Sequence, residues 1–562
     1  MSAPAEEYGF KGTPEKVSKK DLLKRYRTRL QSATKFRENE GYDELWRRLI
    51  DMYRGKVFKT DMTDEDRILV NVAFSTINVI APSIAVNHPK ITINATKPEW
   101  DAQAVIAEAV INYWWRHYDY KVEFRRAVDD FLQVGHGWLK IGYRYQEQEV
   151  DLTPQERQDQ ISRSDAEINQ AVAENPEMAA DLPSPQDMYD NLPETKWECI
   201  EDRPFVERVS PFDMYIDPEA TSMGDAKWVA QRVVRDWEDV KRDRRYKNRT
   251  KVKPDAGLNP RWRDENPTRQ RPSRQYEDDI KRCTIWEFYD IAKGTVSVFS
   301  ESGDGAFLVD PQPMPYSYGI PFVQIRNYNV PEYFYPLGDL EALESLQSEL
   351  NKTRTQMMNH RKRYARKYLT KTNYFTPEAL KSLVSDNDGE VISIEDDVPL
   401  ESIVAPLPQE KLDPQMYQYS EQIEADMDRV TGVNEYQRGS LPEQKRTATE
   451  ASIIQDAANA RSADKLSIIE TALAGIARRL LQLAQAYMTG TQTARIAGKN
   501  GANLWVPFRR DDITGEFDFE IEAGSTQPQN DSFRVQQAMQ MLSALSPFAG
   551  VPGMPGAVVN AL

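Results

Sequence analysis

Two runs of closely spaced cations are the residues of this 562-residue chain whose types and spacing could do chemistry. That chemistry is the binding of phosphate or carboxylate. Lys241, Arg242, Arg244, Arg245, Lys247, Arg249, Lys251 and Lys253 lead into a stretch holding Pro254, Pro260, Pro267 and Pro272. Arg361, Lys362, Arg363, Arg366, Lys367 and Lys371 decorate the end of a long helical pattern. The first run reads either as a contact to DNA or an acidic partner, or as a solvated loop, because dense like charges repel and extend the chain. The second reads either as facing DNA, or as complementing a helix C-terminus and pairing with another chain. An isolated surface ion pair is worth about 0–1 kcal/mol, so either run matters through its position in an assembly.

Catalytic patterns are missing from the sequence. No GxxxxGK[ST] loop or GxGxxG turn offers a phosphate cradle, so a nucleotide-driven motor does not reside on this chain. His88, His117, His136 and His360 lie in separate segments without HExxH or HxH spacing. His136, flanked by Gly135 and Gly137, reads as a turn residue. No GxSxG elbow occurs. Asp386, Asp388 and Glu390 fall in a DNDGE turn, and Val384 stands where a calcium loop needs its first oxygen ligand. Cys199 and Cys283 are the only cysteines. They read as ordinary buried thiols of a reducing compartment. No cofactor and no enzymatic activity are expected.

Composition narrows the class further. Hydrophobic residues make up 40% and aromatics 10%, enough for sizeable cores, while charged residues are 28%. Mean hydropathy is −0.68, and no run of about 18 apolar residues suggests a membrane span. The N-terminus MSAPAEEYGFKG lacks the apolar stretch of a secretory signal. The net charge of −16 is unlike the basic footprint of a tight duplex binder. It does not exclude DNA contact, and since acidic soluble proteins are common, charge alone decides little.

The elements that would position these residues are mostly helical. Leu22, Leu23, Tyr26 and Leu30, then Leu45, Trp46, Leu49, Ile50 and Tyr53, mark two amphipathic helices. Thr63 opens a capping-box-like TDED. The segment 68–86 is apolar nearly all round and predicts a deeply buried helix. Residues 90–95 read as a strand, 99–134 as two aromatic-rich helices, and 138–145 as a strand. Residues 150–195 read as a polar insertion and 227–246 as a helix. A small antiparallel set spans 283–309, turning at Gly303-Asp304-Gly305, followed by a strand at 321–327. A helix over 337–369 would span about 50 Å. Thr447 to Glu450 forms a capping box. Beyond it, Leu466, Ile469, Leu473, Ile476, Leu480, Leu483 and Tyr487 repeat at three and four residues, a heptad seam expected to pack along another long helix. TARIAGKNGANLWVPF and EFDFEIEA read as a β-pair, and 532–545 as a last helix. The fold class is α+β, mostly α.

Two blocks carry a family resemblance. YGIPFVQIRNYNVPEYFYPLGDLEALESLQSELNKTRTQMMNHRKRYARKYL spans 318–369, and RVTGVNEYQRGSLPEQKRTATEASIIQDAANARSADKLSIIETALAGIARRLLQLAQAYM spans 429–488. In order and wording they resemble the portal (head–tail connector) proteins of tailed double-stranded DNA bacteriophages, in the podovirus-like branch. The resemblance implies a portal-like subunit with a wing, long stem helices, a small β-containing clip and a short helical crown. Its implied divisions are a disordered N-terminus (1–19), a first wing part (20–224, with the insertion 150–195), a first stem helix and clip (225–336) and a second stem helix (337–370). A second wing part with the channel loop and long helix 447–488 would fill 371–525, and a crown and tail 526–562.

The same resemblance implies a ring of twelve subunits at one capsid vertex, made in the host cytoplasm. Its partners would be itself, the terminase large subunit, major capsid and scaffolding proteins, tail adaptors and the DNA passing through, with no membrane. Two other readings stay open on the residues alone. One is a different structural head–tail protein of the virion; the other is a nucleic-acid-processing protein with a divergent site.

Overall fold

The computed structural model describes residues 18–56, 68–84, 89–153, 195–255, 281–302, 306–363, 368–370, 404–406, 415–433, 448–490, 492–497 and 503–521, with a few isolated positions between them. Thr63, residues 303–305 and the 386–390 turn lie outside the described residues, as do most of the 150–195 insertion, residues 522–562 and Thr447, the first residue of the 447–450 capping box.

The chain opens with helix α1 (Lys19–Asn39), which Ser18 caps by accepting from the Asp21 amide at 3.2 Å. Leu23, Tyr26, Leu30 and Ala33 form its buried stripe. Gly41, at φ +71°, turns the chain into α2 (Tyr42–Tyr53). Helix α3 (Val72–Ile84) follows. It is buried on one face only: Ala73, Ile77 and Ile84 are enclosed, while Phe74 is 49% exposed. The all-round apolar pattern therefore did not mean all-round burial within one subunit.

Strand β1 (Ile91–Ala95) leads to helices α4 (Asp101–His117) and α5 (Tyr120–Val134). Strands β2 (His136–Asp151) and β3 (Thr195–Val209) form a long antiparallel ribbon. Short β4 (Met214–Ile216) comes next. The expected helix at 227–246 is mostly absent. Its place is taken by strand β5 (Trp228–Asp236) and a six-residue helix α6 (Trp237–Arg242). Val229, Val233 and Val234 are β-branched, and such side chains pack well on a pleated surface. Strands β6 (Arg282–Asp290), β7 (Thr295–Ser300) and β8 (Phe307–Pro313) complete a five-stranded antiparallel sheet in the order β4-β5-β6-β7-β8. On its two faces the period-2 alternation is clear. Trp286 and Phe288 pack under α1, while Cys283 and Ile285 pack under α6 with Val240 and Leu308.

Strand β9 (Phe322–Arg326) does not join that sheet; it pairs with the start of β2, giving a three-stranded sheet β3-β2-β9. A 3-10 turn (Glu341–Leu343) precedes α7 (Glu344–Arg363). The helix is thus about 30 Å long, shorter than expected, and Leu369 lies instead in β10 (Tyr368–Thr370), paired with β11 (Val404–Pro406). Helices α8 (Gln415–Thr431) and α9 (Ala448–Tyr487) follow. At 40 residues, α9 spans about 60 Å. Strands β12 (Gln492–Ala497) and β13 (Asn503–Phe508) form their own hairpin. Strand β14 (Phe517–Ile521) pairs with β1 rather than with that hairpin. The largest core draws on α2 to α5, α7 to α9, β2 and β14.

Candidate assembly and DNA-facing surfaces

The heptad seam lies inside the subunit. Leu466 is 9% exposed and Ile469, Leu473, Ile476, Leu480 and Leu483 at most 1%. Their partners are not one long helix alongside. Helix α9 packs instead on β2, β9, β14, α3 and α4, within the largest core. A three-four repeat demands one covered stripe, and sheet faces cover it as well as a helix does.

Helix α9 is tied down at Lys465 by a buried ion pair. Lys465 donates to Asp339, and both side chains are under 10% exposed. Asp339 also accepts from Asn327 Nδ2 at 2.8 Å and from the Tyr328 hydroxyl at 3.1 Å. These bonds satisfy the carboxylate, which burial would otherwise penalise heavily. They join α9 to the turn that launches α7.

Helix α7 carries a second polar device. Gln347, Asn351 and Thr355, four residues apart, lie on one face. Gln347 accepts from the Ala73 amide at 3.1 Å and donates to the Val70 carbonyl at 2.6 Å. Asn351 accepts from the Val70 amide at 3.2 Å, and Thr355 from the Ile68 amide at 3.4 Å. The helix thereby reads the backbone of the segment entering α3. The i, i+4, i+8 spacing of polar residues beside an apolar stripe was the available signal for it, and the sequence reading missed it.

Helix α8 packs against α7. Arg354 pairs with Glu424 at 2.7 Å, and α8 also touches the 341–343 turn ahead of α7. The strand pair β10-β11 lies in the chain between the two helices.

The first basic run is ordered rather than a free loop. Lys241 sits 3.3 Å from the centre of the Trp237 ring. Arg242 pairs with Glu238 at 3.3 Å, Arg245 holds Asp243 through two nitrogens, and Lys247 meets Asp310 at 3.0 Å. Arg249 donates to the Arg242 carbonyl at 3.5 Å, and Arg244 is exposed. Hydrogen bonds from Arg245 hold Asp243 well below the usual carboxylate range. Much of this run is therefore neutralised locally. Of the second run, Arg361 is exposed in the last turn of α7, with Lys362 and Arg363 beside it in sequence; Arg366, Lys367 and Lys371 lie outside the described residues. Among the described residues, no hydrogen bond or ion pair joins the two runs.

His136 is fully buried, and desolvation pushes its pKa down to about 3. Its Nδ1 lies 3.3 Å from the Val134 carbonyl, in a cage with Trp46, Trp138 and Tyr335. It is a core residue at the start of β2. Cys283 is buried as expected, whereas Cys199 is exposed, because its half of the ribbon projects from the body of the subunit. Among the described residues no three His, Cys, Asp or Glu side chains converge to hold a metal ion. No described helix is long and apolar enough to cross a membrane.

Long helices tied by buried polar bonds, packed sheets, an exposed apolar helix face and a projecting ribbon are the equipment of an assembly subunit. The model of the phage SU10 portal protein family matches residues 22–559, nearly the whole chain, and the chain belongs to that family. It is a bacteriophage portal protein, a head–tail connector of the virion that serves DNA packaging, in a family that is structural rather than enzymatic. No curated protein matches the chain.

Proposed function

We propose that the chain closes into a ring of twelve copies at one capsid vertex and conducts DNA inward during packaging and outward during ejection. The ring nucleates capsid assembly, docks the terminase large subunit, contacts the major capsid and scaffolding proteins, and later receives tail adaptors. The family match over 22–559 carries this reading. Helices α7 and α8, which pack against each other and pair through Arg354 and Glu424, support a revised division of the subunit. They form the stem pair, and the chain between them, residues 364–414, is the clip that meets the terminase. This replaces the arrangement in which 227–246 supplied a stem helix, since Trp228–Asp236 is a strand. The five-stranded sheet and the β2-β3-β9 sheet then belong to the wing. The segment 434–447, between α8 and α9, is the channel loop, and residues beyond 525 form the crown. Cations at the end of α7, from Arg361 to Lys367, would face DNA or the docked motor beside the clip.

Ring closure is heterologous, so each subunit presents two different faces. Leu69, just ahead of α3, and Phe74 on the helix, 39% and 49% exposed, suit one of them. The test is electron microscopy of the purified protein and of assembled heads. End-on averages should show a ring with a central hole and about twelve-fold symmetry, seated at a single vertex. Protein that stays monomeric at high concentration and is absent from the vertex would refute the reading.

A further inference from the structure

We infer that the far half of the β2–β3 ribbon is an intersubunit arm, which lays an acidic, tryptophan-bearing face into a basic groove between β9 and α9 of a second copy of this chain. The inference rests on the ring reading above.

The groove has a volume of about 630 Å³, and its lining includes Val323, Gln324, Arg326, Ile468, Arg478 and Arg479 but no carboxylate. Arg326 spends its two terminal nitrogens on the carbonyls of Thr221, Tyr333 and Phe334. Its Nε, both heteroatoms of the Gln324 amide and Oε1 of Gln482 are shielded without a hydrogen-bond partner. Arg479 donates to the Phe322 carbonyl at 2.8 Å and lies over the Tyr318 ring. Burial lowers the pKa of Arg326 and of Arg479, partly offset by Asp225 and by Tyr318 respectively. Elsewhere several buried or half-buried arginines hold a carboxylate: Arg37 with Asp43, Arg208 with Asp130, Arg232 with Asp213. Arg326, Arg478 and Arg479 form no ion pair among the described residues, in a chain with 88 acidic and 72 basic residues. Arg326 and Arg479 are half withdrawn from water, with Arg478 exposed beside them; guanidinium groups withdrawn from water without a carboxylate are costly, and an incoming anion would offset that cost.

The ribbon offers such an anion. Beyond Tyr145, Gln146 to Glu149 and Trp197 to Ile200 are exposed on both faces. Register places Glu147 opposite Cys199, Glu149 opposite Trp197 and Asp151 opposite Thr195. Directly opposed residues share a face, so one face presents three carboxylates around Trp197, which is 67% exposed. Aromatic side chains ringed by polar groups are typical interface anchors. Val323, Ile468 and Ala472 give the groove apolar surface for the indole.

The arm cannot reach its own groove. Strand β2 meets β9 at residues 136–140, beside the groove, and passes Tyr487 of α9 at Tyr143, where the rings are 5.6 Å apart. It continues in the same direction to Asp151. At about 3.3 Å per residue, its tip stands roughly 30 Å or more beyond its own groove. Only a neighbouring copy can supply the contact, as head-to-tail closure requires.

The native Cys199 makes the test direct. Thr471→Cys places a thiol on an exposed groove position, while Cys283 is buried and silent. Rings treated with a short bis-maleimide should yield covalent dimers and a ladder of higher multiples on denaturing gels, and Cys199→Ser should abolish the ladder. Arg478→Glu and Glu149→Lys should each raise the concentration at which rings dissociate by about tenfold or more, and the two together should restore it. Intact rings that neither cross-link between chains nor respond to either reversal would overturn the arm alone. A parent protein that forms no ring would overturn the ring reading and the arm with it.

Discussion

Replacing Leu473 by alanine separates a core position from an interface position. Leu473 is fully buried within one subunit, in a core that includes Trp114, Trp115 and Leu480. Removing its isobutyl end forfeits about 2–3 kcal/mol of transfer free energy. Helix α9 is held at Lys465 and by the sheet beneath it, so the site cannot collapse fully. The cavity term then brings the total to about 3–5 kcal/mol. Ile476→Val, which removes one buried methyl on the same stripe, should cost about 1 kcal/mol. The assay is chemical denaturation of unassembled subunits, followed by tryptophan emission, since Trp114 and Trp115 sit in the affected core. Leu473→Asp should give no soluble folded subunit, because an unpaired carboxylate would replace a core side chain. The reasoning fails if Leu473→Ala unfolds at the parent's denaturant concentration yet no longer forms rings; that result would move the seam from the core to a contact between subunits.

Three further outcomes are expected. Lys465→Met strands Asp339 and should destabilise the subunit by about 3–5 kcal/mol, whereas Lys465→Met with Asp339→Leu should recover much of the loss; a double-mutant cycle measures the coupling. Gly135→Ala should fold poorly, read as lost soluble yield, because Gly135 adopts φ +91° and an added Cβ would lie 2.3 Å from the Pro336 carbonyl oxygen. Neutral His136 is favoured in the folded state, with its pKa depressed from 6.5 to about 3. The unfolded chain therefore binds one more proton between those values. Stability should fall as pH drops below about 6.5, by about 1.4 kcal/mol per pH unit from this group, and level off near pH 3. His136→Gln should remove that share of the slope in denaturation midpoints measured across pH.

Much of the architecture was legible because local patterns carry it. The stripe Leu23, Tyr26, Leu30 and the aromatic helices over 99–134 appear where periodicity put them. Gly135 ends α5 through its left-handed backbone, as its position between helix and strand suggested. Strand β5 was misread because Trp228, Val229, Val233 and Val234 recur at spacings that suit a helix as well as a strand, and the charges that follow pulled the reading toward a helix. The sequence by itself determined the portal family, the mixed and mainly helical class, and which side chains of α9 must be covered. A buried stripe needs a cover of apolar surface, and periodicity does not say which surface supplies it. Tertiary structure alone decided that strands β2, β9 and β14 cover α9, that Asp339 waits for Lys465 across 126 residues, and that α7 and α8 pack together through Arg354 and Glu424. It alone left Arg326, Arg478 and Arg479 without a carboxylate while Glu147, Glu149 and Asp151 stand out from the body. Such pairings depend on which distant segments meet, and hydrophobic burial, being non-directional, leaves that choice to the packing of the whole chain.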